Sequence, residues 1–388
     1  MIKFAHIADC HLGGWKQPEL QYLNFESFKI AINTCIKEKV EFVIIAGDLF
    51  DSAYPSIDVL KETFSEFKKL SDAKIPCFIV AGSHDSSVSG KTFLDVLEKA
   101  GFCINVEKFE ERQDKFILLP TIYKGVAFYG YSGKRSGLEV QDLKKIVLLD
   151  APGLYRIFLL HTTTTKVKGN LPIDSIDEEL LPPAHYYALG HIHIVFQYEN
   201  FVYPGPLFPN NFKELEDLHN GGFNIVNLDS EGQFKIKRVE IPIKQVALFD
   251  IEIKNTISAT DKIIQELNKR DLEDKIILLR VRGVLEEGNH SDIKFPYIED
   301  FIKNKKAYFV LKNTHDLKIK EIGFELEVEI SENIEEETIS KYISENPSDF
   351  NKLIPLLMNA LSIEKQEDEK TIIFENRLMG EVKRIINL

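Results

Sequence analysis

Five short apolar runs punctuate the first half of the chain: Ile2 to Ala8, Phe42 to Gly47, Phe78 to Gly82, Ile157 to Leu160, and Tyr186 to Gly190. Their length and their β-branched or aromatic content predict buried strands. Between them the spacing turns helical. Leu20, Leu23, Phe28, Ala31, Ile32, Cys35 and Ile36 mark one helix. Ser56 is placed to cap a second, with Leu60, Phe64, Phe67 and Leu70 on one face. A third, from about Thr92 to Ala100, stops at Gly101. Helices that return between successive strands predict an α/β sheet. From about Val126 to Leu228 the pattern is richer in strand, with turn signals at YSGK, PGPL and LDSEG.

Near Ile241-Pro242 the pattern starts again. VALFDIEI reads as a strand, Ala259 to Leu267 as a helix, Lys275 to Val281 as a strand, Tyr297 to Lys303 as a helix and Ala307 to Leu311 as a strand. This predicts a small second α/β unit without a ligand cluster. Residues 321–345 carry nine Glu and one Lys and read as an acidic linker. Two amphipathic helical patterns follow. One holds Leu353, Ile354, Leu357 and Leu361; the other holds Ile373, Leu378, Val382, Ile385 and Ile386. The expected boundaries are 1–240, 241–320, 321–345 and 346–388.

Bulk composition narrows the function classes. The 388 residues are 44% hydrophobic and carry a net charge of −13. Both segments share the deficit, with 26 basic and 32 acidic side chains to residue 240 and 22 and 29 beyond it. A generally basic nucleic-acid binder is excluded, so a polyanionic substrate would have to be held by metal ions and local basic loops. Cys10, Cys35, Cys77 and Cys103 have no CxxC spacing, which disfavours zinc ribbons and disulfide frameworks and fits reduced thiols in a cytoplasmic protein. The N-terminus lacks a basic segment followed by a long apolar run, so no signal peptide is expected. No apolar stretch approaches the ~20 residues needed to span a bilayer, so no membrane association is expected.

The chemistry lies at the ends of the five runs. In order they deliver Asp9 and His11, Asp48, His84, His161, and His191 and His193. Ligands in open α/β sheets bind beyond the carboxyl ends of strands, so these side chains are expected at one edge. Asp9-x-His11 and His191-x-His193 each place two donors on one side of an extended chain. Asp48 is placed to bridge two cations. One cation would take Asp9, His11, Asp48 and His193; the other would take Asp48, His161, His191 and one more donor. Mixed imidazole and carboxylate ligation suits Mn²⁺, Fe²⁺ or Zn²⁺ more than Mg²⁺ or Ca²⁺. Each fragment alone is weak, but the ordered set DxH…GDxxD…GxHD…H…GHxH is specific.

With these residues in view, the chain resembles the calcineurin-like metallophosphoesterase superfamily. Within it the resemblance is to nucleases of the meiotic-recombination-eleven and SbcD type, which act in double-strand-break repair. IADCHLG, AGDLFD, AGSHDSS, LLH, ALGHIH and VYPGPLFPNNF carry it, over residues 1 to about 213. The resemblance implies two facing mixed sheets flanked by helices, a small capping domain at 241–320 that contacts DNA, and C-terminal helices that bind an ATPase. It implies two Mn²⁺ ions, with Fe²⁺, Zn²⁺ or Mg²⁺ as alternatives. It implies that His84 acts on the scissile phosphate or leaving oxygen, oriented by Asp85. It also implies a homodimer joined to an SMC-like, SbcC-type coiled-coil ATPase. The family motif GNHD here reads GSHD, which leaves Ser83 as the remaining ligand of the second ion, or beside it.

For DNA contact the sequence offers Lys124, Lys134, Arg135, Lys166 and Lys168 in predicted loops. Phe208 and Phe212 are expected to anchor the loop after the GHIH strand. Leu353, Ile354, Leu357 and Leu361 are the expected partner-binding stripe. The expected function is a Mn²⁺-dependent exo- and endonuclease. The alternatives are a stand-alone metallophosphoesterase of small phosphodiesters or phosphoproteins, and a catalytically weak scaffold for DNA and the ATPase.

Overall fold

The computed structural model describes residues 2–87, 92–169, 171–286, 288–319, 339, 342–344, 347–348, 351–363 and 371–386. Most of the expected acidic linker lies outside the described residues. Residues 1–320 form one compact unit and residues 321–388 a second.

The apolar runs become the centres of two six-stranded sheets. The first runs, in spatial order, Phe234–Ile241, Gly221–Leu228, Ile2–Ile7, Phe42–Ala46, Cys77–Val80 and Ile104–Asn105. The second runs Val195–Tyr198, Phe201–Pro204, Tyr186–Gly190, Tyr155–His161, Val126–Tyr131 and Thr121–Tyr123. The central pairings are parallel, and antiparallel strands close every edge but that of Ile104–Asn105, which pairs parallel with Cys77–Val80. Phe42–Ala46, Cys77–Val80 and Tyr186–Gly190 are buried along their whole length. A strand covered on both faces has no polar side, which is why these runs are continuous rather than alternating.

Strand periodicity sorts the side chains into layers. Phe4, Phe42, Ile44, Phe78 and Val80 of the first sheet meet Val126, Phe128, Ile157, Leu159 and Tyr186 of the second. The Phe78 and Phe128 rings stack with centroids 3.9 Å apart. Ala5, Ile7, Val43, Ile45 and Ile79 point to the opposite face, where they pack on Phe28, Ala31, Ile32 and Phe67 of helices Pro18–Lys37 and Ile57–Asp72. Ser56 caps the second of these helices by accepting from the Val59 N–H.

The second α/β unit has its own sheet and core. Val246–Glu252, Ile276–Leu285 and Phe309–Asn313 are parallel, and Leu317–Ile319 pairs with the middle strand. Helices Ala259–Asn268 and Phe295–Asn304 cover one face through Ile263, Leu267, Ile298 and Ile302. From the other face, Ile276 and Leu278 pack on Trp15, Leu20, Phe208 and Leu215. In the separate C-terminal unit, helices Ile354–Leu361 and Thr371–Ile386 contact each other. Leu356, Met358 and Leu361 remain exposed there, while Leu353, Ile354 and Leu357 are half-buried. No helix among the described residues is long and apolar enough to cross a membrane.

His6 lies fully buried on the first strand, its Nδ1 2.9 Å from the Tyr186 hydroxyl. Burial pushes its pKa down to about 3 from an ordinary 6.5. The unfolded chain therefore takes up a proton between those values that the folded chain refuses. Stability is complete above about pH 6.5 and falls as pH drops toward about 3. In His6→Asn, which keeps a short polar group opposite Tyr186, denaturant melts between pH 7 and 4 should show a shallower loss of stability than wild type. Identical slopes would show that His6 does not contribute to the acid sensitivity.

Candidate metal centre

Five parallel strands from the two sheets end at the same edge, and the chain turns sharply after three of them. Asp9, His11, Asp48 and His191 hold positive φ values of 50°, 43°, 48° and 97°. Such backbone is costly for residues with side chains and clusters at functional sites. The turns also need bare backbone. A Cβ on Gly47, itself at φ 83°, would fall 2.1 Å from His161 Nδ1, and one on Gly82 would fall 2.1 Å from Asp48 Oδ1.

The donors converge in three overlapping groups: Asp9, His11 and His193; His11, Asp48 and His84; and Asp9, Asp48 and His161. Within each group the candidate atoms lie within 4.8 Å of one another. His161 Nε2 is 3.0 Å from Asp48 Oδ2, and His11 Nε2 is 3.1 Å from His193 Nε2. The His161 and His191 ring centroids are 5.0 Å apart.

A shared hydrogen-bond pattern prepares the imidazoles. His161 Nδ1 donates to the Ala46 carbonyl at 3.0 Å, and His84 Nδ1 donates to the Asp51 carbonyl at 2.9 Å. His11 Nδ1 meets Asp51 Oδ1 at 3.0 Å, and His193 Nδ1 meets Glu214 Oε1 at 2.9 Å. A carbonyl can only accept, and so can an ionised carboxylate, so each ring carries its proton on Nδ1. In the neutral ring, each Nε2 is left with a lone pair for a metal or a substrate.

The electrostatics of the cluster fit cations. Burial pushes the Asp9 carboxyl up, whereas Asp48 is held below the usual carboxylate range because His161 outweighs its burial. Against the cost of burial, Asp48 raises His161 to about 10, and the hydrogen bond to Glu214 raises His193 to about 9. Burial, with His161 beside it, pushes His191 down to about 3, which keeps that ring neutral. Asp9 Oδ2 is buried without a hydrogen-bond partner. Unsatisfied buried donors and acceptors of this kind are costly. A cation held by these residues would remove that cost by taking lone pairs and displacing protons.

The structure thus gathers Asp9, His11, Asp48, His161, His191 and His193 at one edge. Ser83 and His84 line the same cleft, with Lys134, Arg135 and Glu139 across it. Lys134 Nζ turns back to Asp142 and the Tyr131 ring. Lys166 Nζ lies over the Tyr198 ring, and Lys166 and Lys168 belong to the short helix four residues past His161. Phe208 is buried and Phe212 packs beside it, as anchors of their loop.

Two expectations need correction. Asp85 does not touch His84. It is buried, accepts from the backbone N–H groups of Leu49, Phe50 and Gly82, and is pushed up to about 6 by burial and by Asp48. The tight turn carries its carboxylate under the loop, and the group beside His84 is Asp51, whose Oδ1 is 3.7 Å from His84 Nδ1. Lys124 is not brought to the site. It precedes strand Val126–Tyr131 and pairs with Glu41, which precedes Phe42–Ala46, so parallel pairing puts it at the opposite edge. Sequence reading missed Asp51, although it stands in AGDLFD three residues after Asp48. It also missed Glu214, three residues after the helix cap Asn211.

Comparison with known proteins agrees with this geometry. The calcineurin-like phosphoesterase family matches residues 2–195. The DNA double-strand break repair protein Mre11 of Archaeoglobus fulgidus is 28% identical over 300 residues, which is 70% of this chain and 65% of that protein. Its namesake from Saccharolobus solfataricus is 32% identical over 208 residues, half of each chain. The uncharacterized metallophosphoesterase YhaO of Bacillus subtilis is 24% identical over 286 residues, 68% of this chain and 67% of that one. The chain spans less than two-thirds of the length of several archaeal relatives, down to 50%. Half of its residues match the family, and the chain belongs to the calcineurin-like phosphoesterases.

Proposed function

We propose that this chain is a Mn²⁺-dependent DNA phosphodiesterase, the nuclease subunit of a double-strand-break repair complex with an SMC-like ATPase. The observation that carries the reading is the position of Asp48 between donors of both sheets, 3.0 Å from His161 on one side and 3.6 Å from His11 on the other. Asp9, His11, Asp48 and His193 would hold one ion. Asp48, His161 and His191 would hold the other, with Ser83 nearest the remaining position. Bound ions of this kind supply a nucleophile from water and neutralise phosphoryl oxygens.

The chain's own residues do the rest. His84 is half exposed at the cleft, and its Nδ1–H is committed to the Asp51 carbonyl. Nε2 is therefore the atom that meets the scissile phosphate or the leaving oxygen. Arg135 faces the same cleft and suits a phosphate of the polymer. The relatives named for double-strand break repair support DNA as the substrate. In this reading the layer at 241–320 caps the DNA, a second copy completes a homodimer, and helix Ile354–Leu361 presents Leu356 and Leu361 to the ATPase.

Purified protein should cut linear duplex DNA with Mn²⁺ and not with chelator. Hydrolysis of a small aryl phosphodiester without any cleavage of DNA would favour a stand-alone phosphoesterase. His84→Ala should retain bound metal and DNA while cutting about 10²–10⁴-fold more slowly. If the substitution strips metal from the protein, His84 is a ligand instead.

Ser83 offers a short neutral hydroxyl where an amide carbonyl would reach farther. Ser83→Asn should tighten the weaker of two Mn²⁺ binding steps in calorimetry and lower the Mn²⁺ concentration needed for half-maximal cleavage. Unchanged isotherms would place Ser83 outside the coordination sphere.

A further inference from the structure

Three of the four Nδ1 anchors at the centre come from the ligand-bearing loops themselves. Ala46 precedes Gly47, and Asp51 follows Asp48 in the same turn. His193 differs, because its anchor Glu214 sits on the separate helix Phe212–Leu218. That helix is fixed from two directions. At its start Asn211 accepts from the Glu214 N–H at 2.9 Å, and the Glu214 carboxylate accepts from Asn210 N at 2.8 Å and Asn211 Nδ2 at 2.6 Å. On its far side Glu216 receives both guanidinium arms of Arg280, at 2.6 and 2.7 Å. Arg280 stands on strand Ile276–Leu285 of the four-stranded layer, with its guanidinium 5.4 Å from the Phe212 ring centroid. Both carboxylates of this pair of contacts are largely buried, with Glu216 at 13% and Glu214 at 16% side-chain exposure.

We propose that Glu214 is the positioning residue that sets cation affinity at the Asp9–His11–His193 half of the centre, and that Arg280 of the second layer holds it there through Glu216. This rests on the reading of those three residues as ligands. The geometry suits it. Metal–nitrogen bonds near 2.1 Å set adjacent imidazole nitrogens roughly 3 Å apart, and His11 Nε2 and His193 Nε2 are 3.1 Å apart. A His193 ring free to rotate would lose that spacing. The second layer thereby reaches the metal centre through one seven-residue helix, without contributing a ligand.

Calorimetric titration of the full chain with Mn²⁺ tests this. Wild type should show two binding steps. Glu214→Ala and the size-preserving Glu214→Gln should weaken one step about 10–100-fold, as loss of a ligand's hydrogen-bond partner does, and leave the other unchanged. Arg280→Ala should weaken the same step by less, and Arg280→Lys should recover part of it. Arg282→Ala, on the same strand but paired with Asp250, should leave both steps as in wild type. If Glu214→Gln lowers the melting temperature while both steps persist, Glu214 is only a helix cap and the proposal is overturned. An Arg280 effect spread over both steps overturns the link to the second layer. A wild-type chain that takes up no Mn²⁺ overturns the ligand reading itself, and the proposal with it.

Discussion

Asp48 and His161 belong to different sheets, yet they lie 3.0 Å apart in the interior, with 2% and 0% of their side chains exposed. That contact is the point on which the architecture turns. The aromatic layer of Phe42, Phe78 and Phe128 holds the sheets together below it. Glycines at the strand ends remove the side chains that would keep the two edges apart. The result is a buried knot of carboxylates and imidazoles. A knot of this kind is expensive unless its charges are matched. Protons on His161 and His193 match them in the bare protein, and divalent cations match them better. Packing in the core and chemistry at the edge are thus two ends of the same strands.

Much of this was legible in the sequence because burial and function leave different marks. Strands covered on both faces show as unbroken apolar runs, and the five that matter stop at Asp9, Gly47-Asp48, Gly82-Ser83-His84, His161 and Gly190-His191. The second α/β unit was legible for the same reason, since VALFDIEI and IILLRV lie beside amphipathic helices. The candidate donors were legible because binding residues in open α/β sheets lie beyond the carboxyl ends of strands.

Less legible was whatever acts through another side chain. Asp51 and Glu214 orient histidines by way of Nδ1, and nothing in spacing distinguishes such a carboxylate from a solvated one. Asp85 misled because adjacency in GSHD suggests contact with His84, whereas the turn sends its carboxylate to three backbone amides. Lys124 misled because a loop's closeness to a strand in sequence does not say which end of the sheet it occupies. The packing of Phe208 and Leu215 on the second layer depends on contacts with residues far away in the sequence, which no local pattern encodes.

The central claim is that Asp48 bridges two cations, each of which draws its remaining ligands from both sheets. Crystals grown with Mn²⁺ and measured for anomalous scattering at the manganese edge test it most directly. The account predicts two peaks, roughly 3.5–4 Å apart, that share the Asp48 carboxylate, with His193 bound to one and His161 to the other. A single peak, or two peaks that do not share Asp48, would contradict it.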